Sequence, residues 1–355
     1  MALSTDPGIT QDELRLAARN HGMPLEALRW PITPVGLHYL LIHYDVPLVD
    51  PTEFRLEVKG AVARPLVLTL GDLRARPAVE MVSTVECAGN GRALLEPRPI
   101  SQPWLTEAIG TARWRGVPLA TLLEEAGLSS GAVDVVFAGL DRGVEGEVEQ
   151  RYERSLPVSE AMGASCLVAY EMNGASLPPQ HGYPLRLVVP GWYGMTNVKW
   201  LTEVRVVEEP FTGYQVATGY RVRQTEEEDG RPVTRMRPRS LMVPPGIPDF
   251  ATRDRIAVAG SHLLEGRAWS GRAPIGRVEV SVDGGRSFGD ADVVREFDDP
   301  YAWCGWTFHW DATPGEHVLC TRATDETGDI QPLEPEWNLG GYENNAVQRV
   351  RVRVD

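Results

Sequence analysis

The segment Ser83-Thr-Val-Glu-Cys-Ala-Gly-Asn-Gly-Arg92 concentrates residues able to do chemistry. Cys87 ends an extended run and stands directly before Ala-Gly-Asn-Gly, a turn-forming sequence. The glycines let the backbone come close to a bulky group. Arg92, further along, could lower the pKa of the Cys87 thiol or receive an anion. Three readings fit: a nucleophilic thiol, a thiolate ligand to a metal, or a buried cysteine beside a tight turn. None of the four cysteines (Cys87, Cys166, Cys304, Cys320) forms a C-x-x-C pair, so zinc-ribbon and thioredoxin-type motifs are absent. No glycine-rich phosphate loop follows a strand-like run, which weighs against a nucleotide fold.

These residues need a scaffold, and the chain has two textures. Thr10 is placed to cap a short helix, with Glu13 at the capping-box position and Leu14, Ala17 and Ala18 at helical spacing. Residues 37–46 read as extended. Phe54, Leu56 and Val58 alternate as in a half-buried strand, and residues 66–70 are similar. Leu119, Leu122, Leu123 and Ala126 have helical period and stop at Gly127. Residues 133–138, 185–190 and 204–207 read as strands, and Leu156 to Met162 as a helical turn with Pro157 near its start. This mixture predicts an α+β domain with mixed sheets over residues 1–220. Residues 221–249 are polar, proline-rich and glutamate-rich and read as a connecting segment. Over 250–355, short alternating runs (255–259, 278–282, 347–354) and the turn Asp283-Gly284-Gly285 predict an all-β, immunoglobulin-like sandwich.

The whole-chain numbers agree with two folded units. The length is 355 residues, against roughly 100–200 per domain. Hydrophobic residues are 43% and charged residues 24%, which excludes a disordered chain. The formal net charge of −14 argues against nucleic acid as a partner, though a local arginine cluster can still hold a small anion. No run of 18 apolar residues predicts a membrane span. The first residues carry no basic, apolar or twin-arginine leader pattern, so the expected location is cytoplasmic, or periplasmic if a leader has been removed.

Val85-Glu-Cys-Ala-Gly-Asn-Gly-Arg92 resembles the molybdenum-site segment of the sulfite oxidase family of molybdopterin-dependent oxidoreductases, in its bacterial, haem-free form. Thr111-Ala-Arg-Trp-Arg-Gly-Val-Pro-Leu119, Tyr152 with Ser155-Leu-Pro-Val158, and Leu167-Val-Ala-Tyr-Glu-Met-Asn-Gly174 resemble later landmarks of that family. His181-Gly-Tyr-Pro-Leu-Arg186, Val188-Val-Pro-Gly191, Val198-Lys-Trp200, Trp337-Asn-Leu-Gly-Gly341 and Asn344-Asn-Ala346 follow in the family's order. The likeness runs from about residue 35 to the end, and the collinear order excludes chance.

The resemblance implies a pyranopterin dithiolene (molybdopterin) holding molybdenum, with Cys87 as a third sulfur ligand. The family reaction transfers an oxo group to the sulfur of sulfite, giving sulfate, and then returns two electrons one at a time. By the same resemblance Arg92 binds the anion, Tyr152 sets a phenol beside the reacting group and Trp114 walls the pocket. His181 and Arg186, with Lys199, would hold the pterin phosphate, and His43, Tyr44 and Ala88 complete the cofactor contacts. Two departures bear on the substrate. Many members carry Arg-Asn-His where this chain has His43-Tyr44-Asp45, and several carry a basic residue at Gly340. Sulfite is the first expectation; the alternatives are the same cofactor acting on another oxyanion or on an S- or N-oxide, and a non-enzymatic interaction module. No C-x-x-C-H haem site is present, so electrons are expected to pass to an external acceptor, for which a basic cytochrome suits the acidic surface. A homodimer through the C-terminal domain is implied too.

Overall fold

The computed structural model describes residues 3–4, 8–163 and 165–355. The expected cap forms at helix α1 (Gln11–Ala17): Thr10 Oγ1 accepts from the Glu13 N–H, and the Thr10 N–H donates to Glu13 Oε2. Glu13 also meets Arg98 in a buried ion pair, which ties this helix to the body of the protein.

Strands β1 (Leu56–Gly60) and β2 (Leu66–Leu68) are followed by the short helix α2 (Leu70–Arg74), capped by Thr69. Then come β3 (Val79–Glu86), β4 (Ile109–Pro118) and helix α3 (Leu119–Ala126). Helix α3 buries Leu119, Leu122, Leu123 and Ala126 and ends at Gly127, as the spacing predicts. Next are β5 (Asp134–Glu145), β6 (Val148–Pro157), the single turn α4 (Val158–Ala161), β7 (Leu167–Met172), β8 (Ala175–Ser176), β9 (Arg186–Val188) and β10 (Leu201–Val207). One five-stranded sheet has the order β2-β1-β10-β5-β6, and only its β1–β10 pair is parallel. The other runs β8-β7-β4-β3, with β9 also on β7. Leu56, Val135, Phe137 and Val204 of the first sheet pack with Val117, Val168 and Leu187 of the second and with α3 in one apolar core. Such burial is the main drive for this half.

Residues 37–46 form no strand. A 3-10 turn at Val35–Leu37 leads into an irregular run, bridged only where His21 and Leu40 exchange backbone hydrogen bonds. His38, Tyr39, Leu41 and His43 of this run line a cavity instead of alternating across a sheet, while Asp45 and Val46 are exposed.

The C-terminal half is mostly β. A four-stranded sheet holds β11 (Arg239–Met242), β14 (Gly260–Trp269), β17 (Asp292–Val294) and β18 (Cys304–Ala312). A six-stranded sheet holds β12 (Ile247–Pro248), β13 (Arg255–Ala257), β15 (Ile275–Ser281), β16 (Gly289–Asp290), β19 (Gly315–Asp325) and β20 (Gln348–Val354). Leu264, Ala268 and Trp306 of the first share a core with Val278, Leu319 and Val352 of the second. The predicted hairpin forms between β15 and β16, with Gly284 and Gly285 at positive φ. Residues 221–249 are more than a connection: β11 is buried throughout, and Val233, Met236 and Leu241 enter an apolar cluster with Met23, Ile109 and Trp303. The abundance of proline and glutamate in this stretch hid those apolar positions.

Candidate functional site

Strand β3 delivers Cys87 to a turn held by backbone geometry. The Cys87 N–H donates to Ala108 O at 2.9 Å, and the Asn90 N–H returns to Cys87 O at 3.0 Å. Asn90 Oδ1 accepts from the Ala108 N–H at 3.0 Å. Gly91 has φ +91°, in the left-handed region, and a side chain there would meet Asn344 Nδ2 at 2.8 Å. The C-terminal segment closes over this turn. Glu343 N–H donates to Ala88 O (2.8 Å), Asn344 Nδ2 to Gly91 O (2.8 Å), and Arg92 Nε to Gly340 O (2.9 Å).

Cys87 lies on the wall of a cavity where both N-terminal sheets end. His38, Tyr39, Leu41 and His43 come from the irregular run, Asp141 from β5, Tyr152 from β6 and Arg186 from β9. His181, Met195, Asn197, Lys199 and Tyr220 come from the connecting loops. Tyr152 donates to Met195 O at 2.7 Å. Lys199 Nζ donates to Leu41 O (2.8 Å) and Gln180 O (3.0 Å), and Arg186 Nη1 to His181 O (3.2 Å). At one edge His43, Tyr44 and Gln215 all meet Glu145 Oε2, at 3.2, 3.0 and 2.6 Å.

Burial dominates the electrostatics of the cavity, which carries Arg186, Lys199 and Asp141 on its wall. Burial lowers Arg186 to about 10 and Lys199 to about 7, the latter helped by the charge of Arg186 and opposed by Asp141. Burial lowers His38 to about 4 and His181 to about 2; the two rings lie edge to face, with centroids 5.5 Å apart. Neither Arg186 nor Lys199 makes an ion pair among the described residues, and Arg186 Nε, His38 Nε2 and Asp141 Oδ1 are buried without a hydrogen-bond partner. Burial raises Asp141 to about 6, and it raises the Cys87 thiol, whose shift Arg92 opposes. Burial also drives the Tyr152 phenol upward, so it keeps its proton at neutral pH.

Cys87, His43, Tyr152, His181, Arg186 and Lys199 thus come together on one cavity wall. Four other sequence-selected residues stand behind it. The Trp114 ring is fully buried under the Arg186 guanidinium, 4.7 Å away. The Arg92 guanidinium lies 5.0 Å from the Tyr342 ring centre and reaches Cys87 through its charge. Tyr44 binds Glu145, and Ala88 offers its carbonyl to Glu343. Sequence reasoning missed His38, Tyr39, Asp141 and Tyr220. Asp141 carried a signal, a charge continuing an apolar strand, because burying a charge is costly unless it serves something.

Comparison with known proteins agrees with this geometry. Residues 43–215 match the oxidoreductase molybdopterin binding domain, and residues 240–355 the Mo-co oxidoreductase dimerisation domain. The chain is similar to mitochondrial sulfite oxidase of Rattus norvegicus (36% identical, 91% of this chain and 62% of the relative) and to sulfite oxidase of Gallus gallus (34%, 90% and 72%). It also resembles nitrate reductase [NADH] of Solanum lycopersicum, 31% identical over 91% of this chain but 38% of that protein. The chain therefore spans about 62% of the mammalian sulfite oxidases it matches. Among solved structures, the sulfane dehydrogenase SoxCD from Paracoccus pantotrophus superposes with a TM-score of 0.81, at 26% identity, covering 100% of this chain and 95% of that one.

The residues present fit molybdopterin. The unpaired Arg186 Nε offers an N–H to a phosphate, with Lys199 and His181 beside it in the same cavity; His38 donates through Nδ1 to Tyr39 O, which leaves its Nε2 an acceptor. A buried thiol with a raised pKa is a poor free nucleophile but becomes a thiolate when a metal binds it. The matched domains, the relatives and this donor set together place the chain in the sulfite oxidase family of molybdopterin-dependent oxidoreductases.

Proposed function

We propose that this protein oxidises sulfite to sulfate, SO₃²⁻ + H₂O → SO₄²⁻ + 2H⁺ + 2e⁻, and passes both electrons to an external acceptor. The observation that carries the reading is Cys87 on the wall of a buried cavity that also holds Lys199 and the unpaired Arg186 Nε–H donor. When bound, molybdopterin supplies the oxo-transfer and two-electron chemistry. Cys87 would hold the metal, while Arg186, Lys199 and His181 would hold the phosphate. The positive charge of Arg186, with that of Lys199 when protonated, also favours a small oxyanion in a dry pocket. Tyr152 donates its one O–H to Met195 O and would turn that donor toward the substrate when substrate enters the cavity. His43 stands at the cavity edge, its Nε2 3.2 Å from Glu145 Oε2. Arg92 steadies the turn from behind and lends its charge to Cys87.

A second reading keeps the centre and changes the substrate to another oxyanion or to an S- or N-oxide. The Glu145 carboxylate bound to His43 favours it, because a negative group at the cavity edge penalises a dianion. The names of the relatives, nitrate reductase and sulfane dehydrogenase, span that range. We read the C-terminal half as an immunoglobulin-like sandwich that pairs two copies of the chain, in line with its match to a dimerisation domain. The acidic chain suits a basic redox partner such as a cytochrome. Sulfite-dependent reduction of ferricyanide by purified holoenzyme tests the first reading. Fast turnover supports it; a full molybdenum load with no sulfite turnover transfers the case to the second.

A further inference from the structure

Glu86 stands next to Cys87 in the chain, yet its carboxylate points away from the cavity into a closed network. Oε1 accepts from Arg239 Nη1 at 2.8 Å and from Asn90 Nδ2 at 3.0 Å, and Oε2 accepts from Trp269 Nε1 at 2.9 Å. Glu86 is 2% exposed, and Arg239 and Trp269 are 1% exposed. Three donors satisfy a carboxylate that has left water. Two of them belong to the C-terminal four-stranded sheet, Arg239 on β11 and Trp269 on β14. The third, Asn90, closes the Cys87 turn through its own N–H. Arg239 Nη1 also donates to Asn344 O at 2.9 Å, in the segment that covers the turn.

A buried ion pair alone is weak evidence for stability, since desolvation offsets much of the attraction. Its place says more. In a dry environment a charge one residue from a sulfur is little screened by solvent, so its effect depends on how fully Arg239 and Trp269 neutralise the Glu86 carboxylate. Outer hydrogen bonds of this kind tune metal affinity and potential.

We propose that Glu86 is a positioning residue that orients the Cys87 turn and enriches its sulfur in electrons, and that Arg239 and Trp269 set how much of that charge the sulfur feels. The C-terminal sheet thereby tunes the metal centre of the N-terminal half. This inference rests on the reading of Cys87 as the molybdenum ligand.

Glu86→Gln would present an amide N–H to a donor and tear the network open, so the test uses a milder pair of holoenzyme variants. Trp269→Phe removes the N–H that reaches Glu86 and keeps an aromatic ring. Trp303→Phe is the matched control: Trp303 is equally buried, but its Nε1 donates to Pro31 O at 2.7 Å. Losing the Trp269 donor leaves more negative charge near the sulfur and favours the more oxidised metal. The molybdenum midpoint potential, from redox titration followed by paramagnetic resonance, should fall in Trp269→Phe and stay at the wild-type value in Trp303→Phe. The visible sulfur-to-metal absorption should move in Trp269→Phe alone. A Trp269→Phe protein with wild-type potential and spectrum overturns the inference. Equal shifts in both variants overturn it too, because they would report generic loosening. Molybdenum absent from the wild-type protein would instead overturn the parent reading of Cys87.

Discussion

At the scale of single residues, the cavity uses burial as its main instrument. His38 and His181 are held neutral because an imidazolium is poorly solvated there. The sign for stability follows from that depression. The unfolded chain takes up protons near the ordinary value of 6.5, while folded His38 resists until about 4 and His181 until about 2. The stability these neutral rings permit is complete above pH 6.5 and is lost as the pH falls through that window. Thermal melts of protein purified without cofactor should therefore show the melting temperature falling from pH 7 to 4.5. His181→Asn should flatten the slope, and an unchanged slope would show that the ring titrates freely. Tyr152→Phe removes a donor to the buried Met195 carbonyl. It should cost about 1–3 kcal/mol in stability for the unpaired group. Sulfite turnover should fall roughly 10²-fold if the phenol moves a proton. Wild-type turnover in this variant would remove Tyr152 from the reaction.

At the scale of elements, patterns with local causes were legible. The Thr10 capping box, the four buried positions of α3 and the glycine turn after β15 all follow from contacts within a few residues. Leu122→Ala on the buried face of α3 should destabilise the protein by about 2–5 kcal/mol in denaturant unfolding, leaving the cavity residues in place. A loss below about 1 kcal/mol would mean the packing there is loose. Features with distant causes were not legible. The run 37–46 reads as extended, but its side chains are recruited to the cavity by β5, β6 and β9. Arg239 lies in a stretch that reads as a linker, and nothing within ten residues of it announces Glu86, which is 153 positions away. At Cys87 the spacing alone left three readings open, and the collinear order of the neighbouring motifs singled out the metal ligand. Trp114 and Arg92 were visible as residues, but the side of the wall on which each stands is a matter of packing.

At the scale of the whole molecule, the two halves are joined at the turn that carries Cys87. Gly340, Glu343 and Asn344 from the C-terminal half bind Arg92, Ala88 and Gly91, and Arg239 binds Glu86. Cutting the C-terminal half away would therefore disturb the site. No helix among the described residues is long and apolar enough to cross a membrane. If the C-terminal half pairs two copies, light scattering on purified protein should give twice the chain mass of 39.2 kDa at micromolar concentration. A single-chain mass there would remove the homodimer.

The proposed oxidation of sulfite depends on Cys87 supplying sulfur to a molybdenum centre held in the cavity. X-ray absorption at the molybdenum edge, with metal content measured on the same samples, tests it most directly. Wild-type protein should hold about one molybdenum per chain, with two pterin sulfurs and one further sulfur bound. Cys87→Ser should keep the fold, lose that third sulfur and lose turnover by roughly 10²-fold or more. A metal-free wild-type protein, or a Cys87→Ser centre with unchanged sulfur coordination, would overturn that role for Cys87.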